Sequence, residues 1–431
     1  MHLFFIRHFN DIDHITPIVW KMKQDNRPAA VYCLNPQYDI HNDYRLRFLK
    51  EQGIPVESIY DAFSPRLNRL HQTMRLLYMW LFAKGQKLDY DKQISRWGLL
   101  LSRQGRIDLK KHNLRKLGNK IFKLTRKIFY TKNWARNILE RNKARVLCFD
   151  HIIHNHYVVA VLLGAAKEMS LPTIALPHGV YLYTNESSKP KSTQKQRFSK
   201  FDHFDYVVVQ NQLRKNVLVR SGISDDKIVV LGSARFCDEW IEQNMKILPR
   251  MIDSHAESTG KLKIVFLTSK PQCRVDMERT LNTFDLLSNI SGIELKLKPH
   301  TRMSSEPYLF DNLPIANASD VLTAELCEWA DVVLVIGTSV MTEALMQGKP
   351  VLYLKYLHGN IMLFEECGAC WTIRNEAELE DAIQSLRVEK MDVPYTEENV
   401  NKFLSEVVYG GSTKRDVLRD YVEFITECNS N

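Results

Sequence analysis

Short apolar runs alternate with helical stretches along most of this 431-residue chain, and no other feature limits its fold as strongly. HLFFIRHF reads as a buried strand, ITPIVWKMKQ as a helix with Pro17 near its first turn, and AAVYCLN as a second strand. DYRLRFLKEQG follows as an amphipathic helix closed by Gly53. Strands joined through helices pair in parallel. Between about 66 and 143 the strand signals give way to helical periodicity, which predicts a helical insertion. The alternation resumes with ARVLCFD, YVVAVLLGAAKEMS, PTIALPHG, FDYVVVQ, QLRKNVLVRSG and KIVVLGS. After the helical link DEWIEQNMKILPRM, a second set of strands follows: KLKIVFLTS, IELKLKPH, DVVLVIG and KPVLYL. The expected architecture is α/β, with two tandem doubly wound, Rossmann-like domains facing a cleft. Their expected spans are 1–235 and 236–395, with helices at 396–431 packing back on the first domain. The polar stretch 189–200 reads as a loop.

Several classes are set aside early. No apolar run reaches the roughly 18–20 residues that span a bilayer, and Arg7 and His8 interrupt the apolar start, which reads as a strand and not a signal peptide. The eight cysteines are scattered, several within apolar runs, as expected of reduced, buried thiols in a cytoplasmic protein. Cys367 and Cys370 form a CxxC with no second pair at zinc spacing, so no structural metal is expected.

Ligands of open α/β sheets bind beyond the carboxyl ends of the strands, so the residues that follow each strand are the candidates. Gly337-Thr338-Ser339 links DVVLVI to a helix. Glycine lets backbone approach a ligand, while Thr and Ser can cap the helix and leave its first N–H groups for a phosphate. Glu343 stands one turn beyond Ser339, where a carboxylate can accept hydrogen bonds from ribose hydroxyls. Lys298-Pro299-His300-Thr301-Arg302 presents an imidazole, a hydroxyl and a guanidinium at one lip, a set suited to an anion. Thr268-Ser269-Lys270 is a weaker version of the same kind.

In the first domain, His178-Gly179 ends a strand, and the imidazole can meet a bridging phosphate or protonate a leaving oxygen. Asp11 and Asp13 follow the first strand and Asp150 ends ARVLCFD. A carboxylate there can remove a proton from an acceptor hydroxyl or act as a nucleophile. Asp11 and Asp13 equally suit capping the helix that follows. Sequence does not separate base, nucleophile and cap.

Taken in order, His178-Gly179, Pro299-His300 and DVVLVIGTSVMTEALMQGKPVLYL resemble the two-domain GT-B glycosyltransferases over roughly 144–355, together with the opening strand–NDIDH–helix unit. Within them the likeness is greatest to bacterial capsule and surface-carbohydrate enzymes, including CDP-glycerol glycerophosphotransferases and capsule Kdo transferases. Those carry a QHG-like and an HP element; here Pro177 replaces the Gln and the HP is reversed. The resemblance implies a nucleotide-activated sugar donor, such as CMP-Kdo, bound between the domains without a catalytic metal or cofactor. It implies a surface-polysaccharide or lipid-linked glycan acceptor. On it, Asp11, Asp13, Asp150 and His178 are the catalytic candidates. Gly179, Ser269, Lys270, His300, Arg302, Gly337, Thr338, Ser339 and Glu343 are the donor-binding ones. Two related reactions stay open: transfer of glycerol or ribitol phosphate from a CDP-polyol, and acceptor-free rearrangement by a UDP-GlcNAc 2-epimerase-like enzyme.

The net charge of +9 is concentrated, since residues 96–143 hold 15 Lys and Arg against Asp108 and Glu140. Cations interleaved with Ile, Phe, Tyr and Trp suit the inner surface of an anionic membrane, and equally a solvated face on a packed helix. Nucleic-acid binding is the distant alternative. No helix-turn-helix, zinc or RNP pattern accompanies the charge, and no nucleic-acid partner is expected.

Overall fold

A computed structural model describes residues 1–35, 38–59, 127–150, 157–184, 203–252, 260–269, 275–300, 315–388 and 392–428. The first sheet is built from β1 (His2–Ile6), β2 (Ala29–Cys33), β3 (Val56–Ser58), β4 (Val146–Asp150), β5 (Thr173–Leu176), β6 (Tyr206–Val209) and β7 (Ile228–Val230). Its helices are α1 (Phe9–Gln24), α2 (Tyr44–Glu51), α3 (Lys132–Arg141), α4 (Tyr157–Glu168) and α5 (Gln212–Arg220). All its pairings are parallel, in the order β3-β2-β1-β4-β5-β6-β7. After α6 (Asp238–Ile247) comes a parallel six-stranded sheet: β8 (Leu262–Leu267), β9 (Ile293–Lys298), β10 (Ala316–Asn317), β11 (Val332–Val335), β12 (Val351–Leu354) and β13 (Trp371–Ile373). Its order is β10-β9-β8-β11-β12-β13. The helices from here on are α7 (Met277–Asn289), α8 (Thr323–Trp329), α9 (Met341–Met346), α10 (Leu363–Glu366), α11 (Glu376–Val388), α12 (Glu397–Val407) and α13 (Val417–Glu427).

The central strands are apolar on both faces because both faces are covered. In β1, Leu3 and Phe5 belong to one core, while Phe4 and Ile6 belong to the core on the other side. That is the chemistry of a central parallel strand under two helical layers. Three strands had no signal in the sequence: β3, β10 and β13. Each is an edge strand of two or three residues, too short for a period to show.

Helix α1 starts at Phe9, before the expected ITPIVW segment, so Pro17 lies in its interior, on the buried face. Proline offers no N–H to the Asp13 carbonyl one turn back. The early start also changes the two acids. Asp11 falls in the first turn and Asp13 beyond it, and the capping position is His8, so neither acid caps α1.

The chain's tail returns to the first domain. Helix α13 buries Val417, Leu418, Tyr421, Val422 and Ile425. Tyr421 Oη donates to the Gly232 carbonyl at 3.0 Å, and Ser233 N donates to the Val408 carbonyl at 2.8 Å. Gly232 has φ +82°, and a Cβ there would lie 2.2 Å from the Val408 oxygen, so only glycine fits.

Of the basic stretch 96–143, residues 96–126 lie outside the described residues. In the described part, α3 turns Trp134, Ala135, Ile138 and Leu139 into the core. Lys132 pairs with Glu168 and Arg136 with Glu140, at 3.9 Å for the latter. That segment packs its apolar side inward and carries its cations on the exposed side.

Candidate functional site

In each sheet the strand order reverses between two adjacent central strands, β1 and β4 in the first and β8 and β11 in the second. Helices leave to opposite faces at such a point and open a crevice at the carboxyl ends. In the first domain three strand ends deliver titratable groups to this crevice: Asp11 after β1, Asp150 at the end of β4, and His178 just past β5.

These three meet. His178 Nδ1 lies 2.9 Å from both oxygens of Asp150 and 3.4 Å from Asp11 Oδ1. Arg7, two residues before α1, joins them: its backbone N–H donates to Asp11 Oδ2 at 2.7 Å and its Nη2 to Asp150 Oδ2 at 2.8 Å. His8 stands 3.4 Å from Asp11 Oδ1 and meets the His178 ring edge-on at 5.6 Å. Both carboxylates are fully buried, whereas the His178 side chain keeps 13% of its surface exposed. Of these three, His178 is the one that reaches the surface, beside Arg7 and His8, whose side chains are also partly exposed. Asp150 fixes its orientation through Nδ1.

The electrostatics follow from burial. Desolvation, reinforced by the neighbouring Asp150 charge, pushes Asp11 up to about 7. Burial also disfavours a charged His178, but its hydrogen bonds and proximity to Asp11 and Asp150 outweigh this and raise it to about 9. At neutral pH the imidazole carries a proton. His14, fully enclosed in α1, is lowered to about 3 by burial and the nearby Arg235 charge and stays neutral. Asp11, Asp150 and His178 place ligand atoms within 4.8 Å of one another, close enough for a cation. Arg7 and the protonated His178 already supply the positive charge there, and like charges compete for one site.

Asp13 turns elsewhere. It pairs with Arg45, which Asp43 grips at 3.1 and 2.6 Å, and with Arg235 Nη1 at 2.9 Å. The other nitrogen of Arg235 lies 4.0 Å from Glu343 in the second domain. The segment after His178-Gly179 also crosses between domains. Thr184 N donates to the Ile361 carbonyl at 3.1 Å, and Leu363 N donates to the Leu182 carbonyl at 2.8 Å.

In the second domain, Thr268 and Ser269 follow β8 and are buried, and Thr268 Oγ1 accepts from His300 N at 3.0 Å, tying the β8 and β9 lips together. Lys298 is spent inside the fold, donating to the carbonyls of Ser319 and Val321 at 2.8 and 2.6 Å. Lys270 and Arg302 lie outside the described residues. Gly337-Thr338-Ser339 follows β11 directly, but α9 begins only at Met341 and neither side chain caps it. Thr338 Oγ1 reaches no further than Val340 N, at 3.4 Å. Glu343 is 8% exposed, and burial raises it to about 6 against the pull of Arg235.

His358, absent from the sequence-derived candidates, seats this loop. Gly337 has φ +56°, and a Cβ on it would fall 2.8 Å from His358 Nε2. His358 Nδ1 accepts from Asn360 N at 3.1 Å, which leaves Nε2–H to donate to Tyr353 Oη at 2.8 Å. Burial lowers His358 to about 4, so the ring stays neutral. Arg7 and His8 were within reach of the strand-end rule, since they follow β1 directly. Arg235 stands five residues past β7, and nothing local marks its role.

Solved structures align over nearly the whole chain. UDP-GlcNAc 2-epimerase from Methanocaldococcus jannaschii superposes with a TM-score of 0.57 at 15% identity, covering 99% of each chain. The Neisseria meningitidis UDP-GlcNAc 2-epimerase bound to UDP-GlcNAc gives 0.53 at 12% identity, again over 99% of each. HepE from Anabaena, in complex with UDP and glucose, gives 0.52 at 11% identity, covering 100% of this chain and 99% of that chain. No family model matches the chain, and no curated protein sequence does. At such identities the likeness establishes the fold: two Rossmann-like domains in the GT-B arrangement.

Proposed function

We propose that this chain is a GT-B-type glycosyltransferase that moves a sugar from a nucleotide-activated donor to a surface-polysaccharide or lipid-linked glycan acceptor. One observation carries the reading: His178 stands at the crevice with Nδ1 held by Asp150 and a proton retained to about 9. A cation there suits the departing nucleotide phosphate, which gains negative charge as the glycosidic bond breaks. Asp11, raised to about 7 and 3.4 Å from His178 Nδ1, joins Asp150 in holding that proton on the ring. The donor's nucleotide takes the second domain's lip, with phosphate at Gly337-Thr338-Ser339, Ser269 and His300 and ribose at Glu343. Lys270 and Arg302, outside the described residues, complete the donor-binding set of this proposal, and Gly179 lets the donor approach the first domain. The balance is simple: the acceptor hydroxyl bonds to the anomeric carbon and gives its proton to solvent, and the nucleotide leaves with the bonding pair.

The reaction takes no divalent cation, because Arg7 and His178 supply the charge at the carboxylates. The CMP-linked donor, the cytoplasmic location and docking of 96–143 on an anionic inner leaflet belong to the same proposal. The test is thermal stabilisation by CMP, CDP, UDP, GDP and ADP and their sugars, with EDTA present. Bound ligand raises the melting point in proportion to occupancy. A shift with one nucleotide, lost in His300→Ala, is the expected result, and no shift with any of them refutes the proposal. Turnover of the sugar nucleotide with acceptor omitted would instead favour the 2-epimerase-like reaction, and turnover of a CDP-polyol the phosphate transfer. Sedimentation with anionic liposomes at low salt tests the membrane docking.

A further inference from the structure

Five charged side chains form a row that crosses from the first domain to the second: Asp43, Arg45, Asp13, Arg235 and Glu343. Its first-domain end is fixed. Asp43 caps α2 through the N–H groups of Arg45 and Leu46, accepts from Tyr38 Oη at 2.6 Å, and grips Arg45. Arg45 in turn pairs with Asp13, and Asp13 Oδ2 holds Arg235 Nη1 at 2.9 Å. Only the far end is loose, because Arg235 Nη2 stands 4.0 Å from Glu343 Oε2, too far for a direct hydrogen bond. Glu343 has no closer cation among the described residues. It sits on α9, immediately beyond the Gly337 loop.

We propose that Arg235, anchored on Asp13, is a positioning residue that keeps Glu343 ionised and aimed at the nucleotide's hydroxyls, and so links nucleotide binding to the first domain. The inference rests on the proposed donor site. A buried carboxylate keeps its charge only beside a cation, and a carboxylate accepts from two hydroxyls better than a neutral acid does. Asp13 pulls the other way, since its own charge disfavours an ionised Glu343. The remaining groups that face this pair are Arg45, Tyr44 (which feels both Asp13 and Glu343), neutral His14 and the buried Cys327 thiol. None of these replaces Arg235 as a cation at Glu343.

The experiment has two readouts on the full chain. Glu343 is titrated by carbon-13 NMR without ligand, its resonance assigned by Glu343→Gln, in wild type, Arg235→Met and Arg235→Lys. Affinity for UDP and CMP is then measured by calorimetry from pH 5 to 8 in the same proteins. Arg235→Met is expected to raise the Glu343 midpoint by about one pH unit. It is expected to weaken nucleotide binding about threefold near pH 6.5 and close to tenfold at pH 5, with almost no loss at pH 8, and Arg235→Lys to recover most of both. An unmoved Glu343 midpoint, or an equal loss at every pH, overturns the inference. If wild type binds neither nucleotide at any pH, the donor-site reading fails while the titration still decides what Arg235 does to Glu343. Should Arg235→Met not fold, Arg235→Gln, which keeps a polar group toward Asp13 but removes the charge, carries the same comparison.

Discussion

Asp150→Asn tests the most consequential feature of the site, the charge on His178. In the native protein the ring is raised from its usual 6.5 to about 9. A displacement of that size corresponds to about 3 kcal/mol of interaction favouring the protonated form. Asp150 supplies the nearer oxygens, 2.9 Å against 3.4 Å for Asp11, so it is expected to carry half of the effect or more. Asn at 150 also removes the charge that holds Asp11 protonated, so Asp11 ionises more readily and replaces part of what was lost. The His178 midpoint is therefore expected to fall by at least about one pH unit without reaching 6.5. The sign for stability follows. A folded-state value above the unfolded one means that the native state binds more protons between 6.5 and about 9. The stabilisation is fully present below 6.5 and is lost as pH rises through about 9. Asp11, raised by burial, pulls in the same direction between its ordinary value of 3.8 and about 7. Proton NMR of the His178 ring, assigned with His178→Gln, reads the midpoint, and urea denaturation at pH 6, 7.5 and 9 reads the stability. A wild-type midpoint within half a unit of 6.5, or one unmoved by Asp150→Asn, would refute the reasoning.

Gly337→Ala forces a side chain into a left-handed backbone and against His358, whose ring Tyr353 and Asn360 hold in place. The cost is expected to be about 2–4 kcal/mol in urea denaturation, from backbone strain and loss of at least one buried hydrogen bond. A loss below about 1 kcal/mol would mean that the loop does not rest on that ring. Asp43→Ala leaves Arg45 with one acid where it had two, and removes the cap of α2. About 3–5 kcal/mol of destabilisation is expected from thermal and chemical unfolding, with retained wild-type stability as the contrary result.

Part of the site was legible because the rule behind it is local. His178, Asp150, Asp11, Ser269 and Gly337 stand at the ends of apolar runs, as parallel strands under two layers of helices are apolar on both faces, while His300 follows the mixed strand β9. The caps were less legible, because a helix start depends on the first hydrogen-bonded turn. Helix α1 begins at Phe9 and α9 at Met341, which takes Asp11, Asp13, Thr338 and Ser339 out of the capping roles their residue types suggest.

By itself the sequence determined the two parallel α/β halves and the strand ends where polar groups gather, because burial on both faces imposes a pattern within each segment. It could not determine which ends meet. Arg7 and Asp150 are 143 residues apart, and they touch only because β1 lies beside β4 in the sheet. The same holds for His358 beneath Gly337, and for Arg235 between Asp13 and Glu343. The tertiary structure also set the charges: Asp11, Glu343 and His178 depart from their ordinary values through burial and through partners that the folded chain brings near.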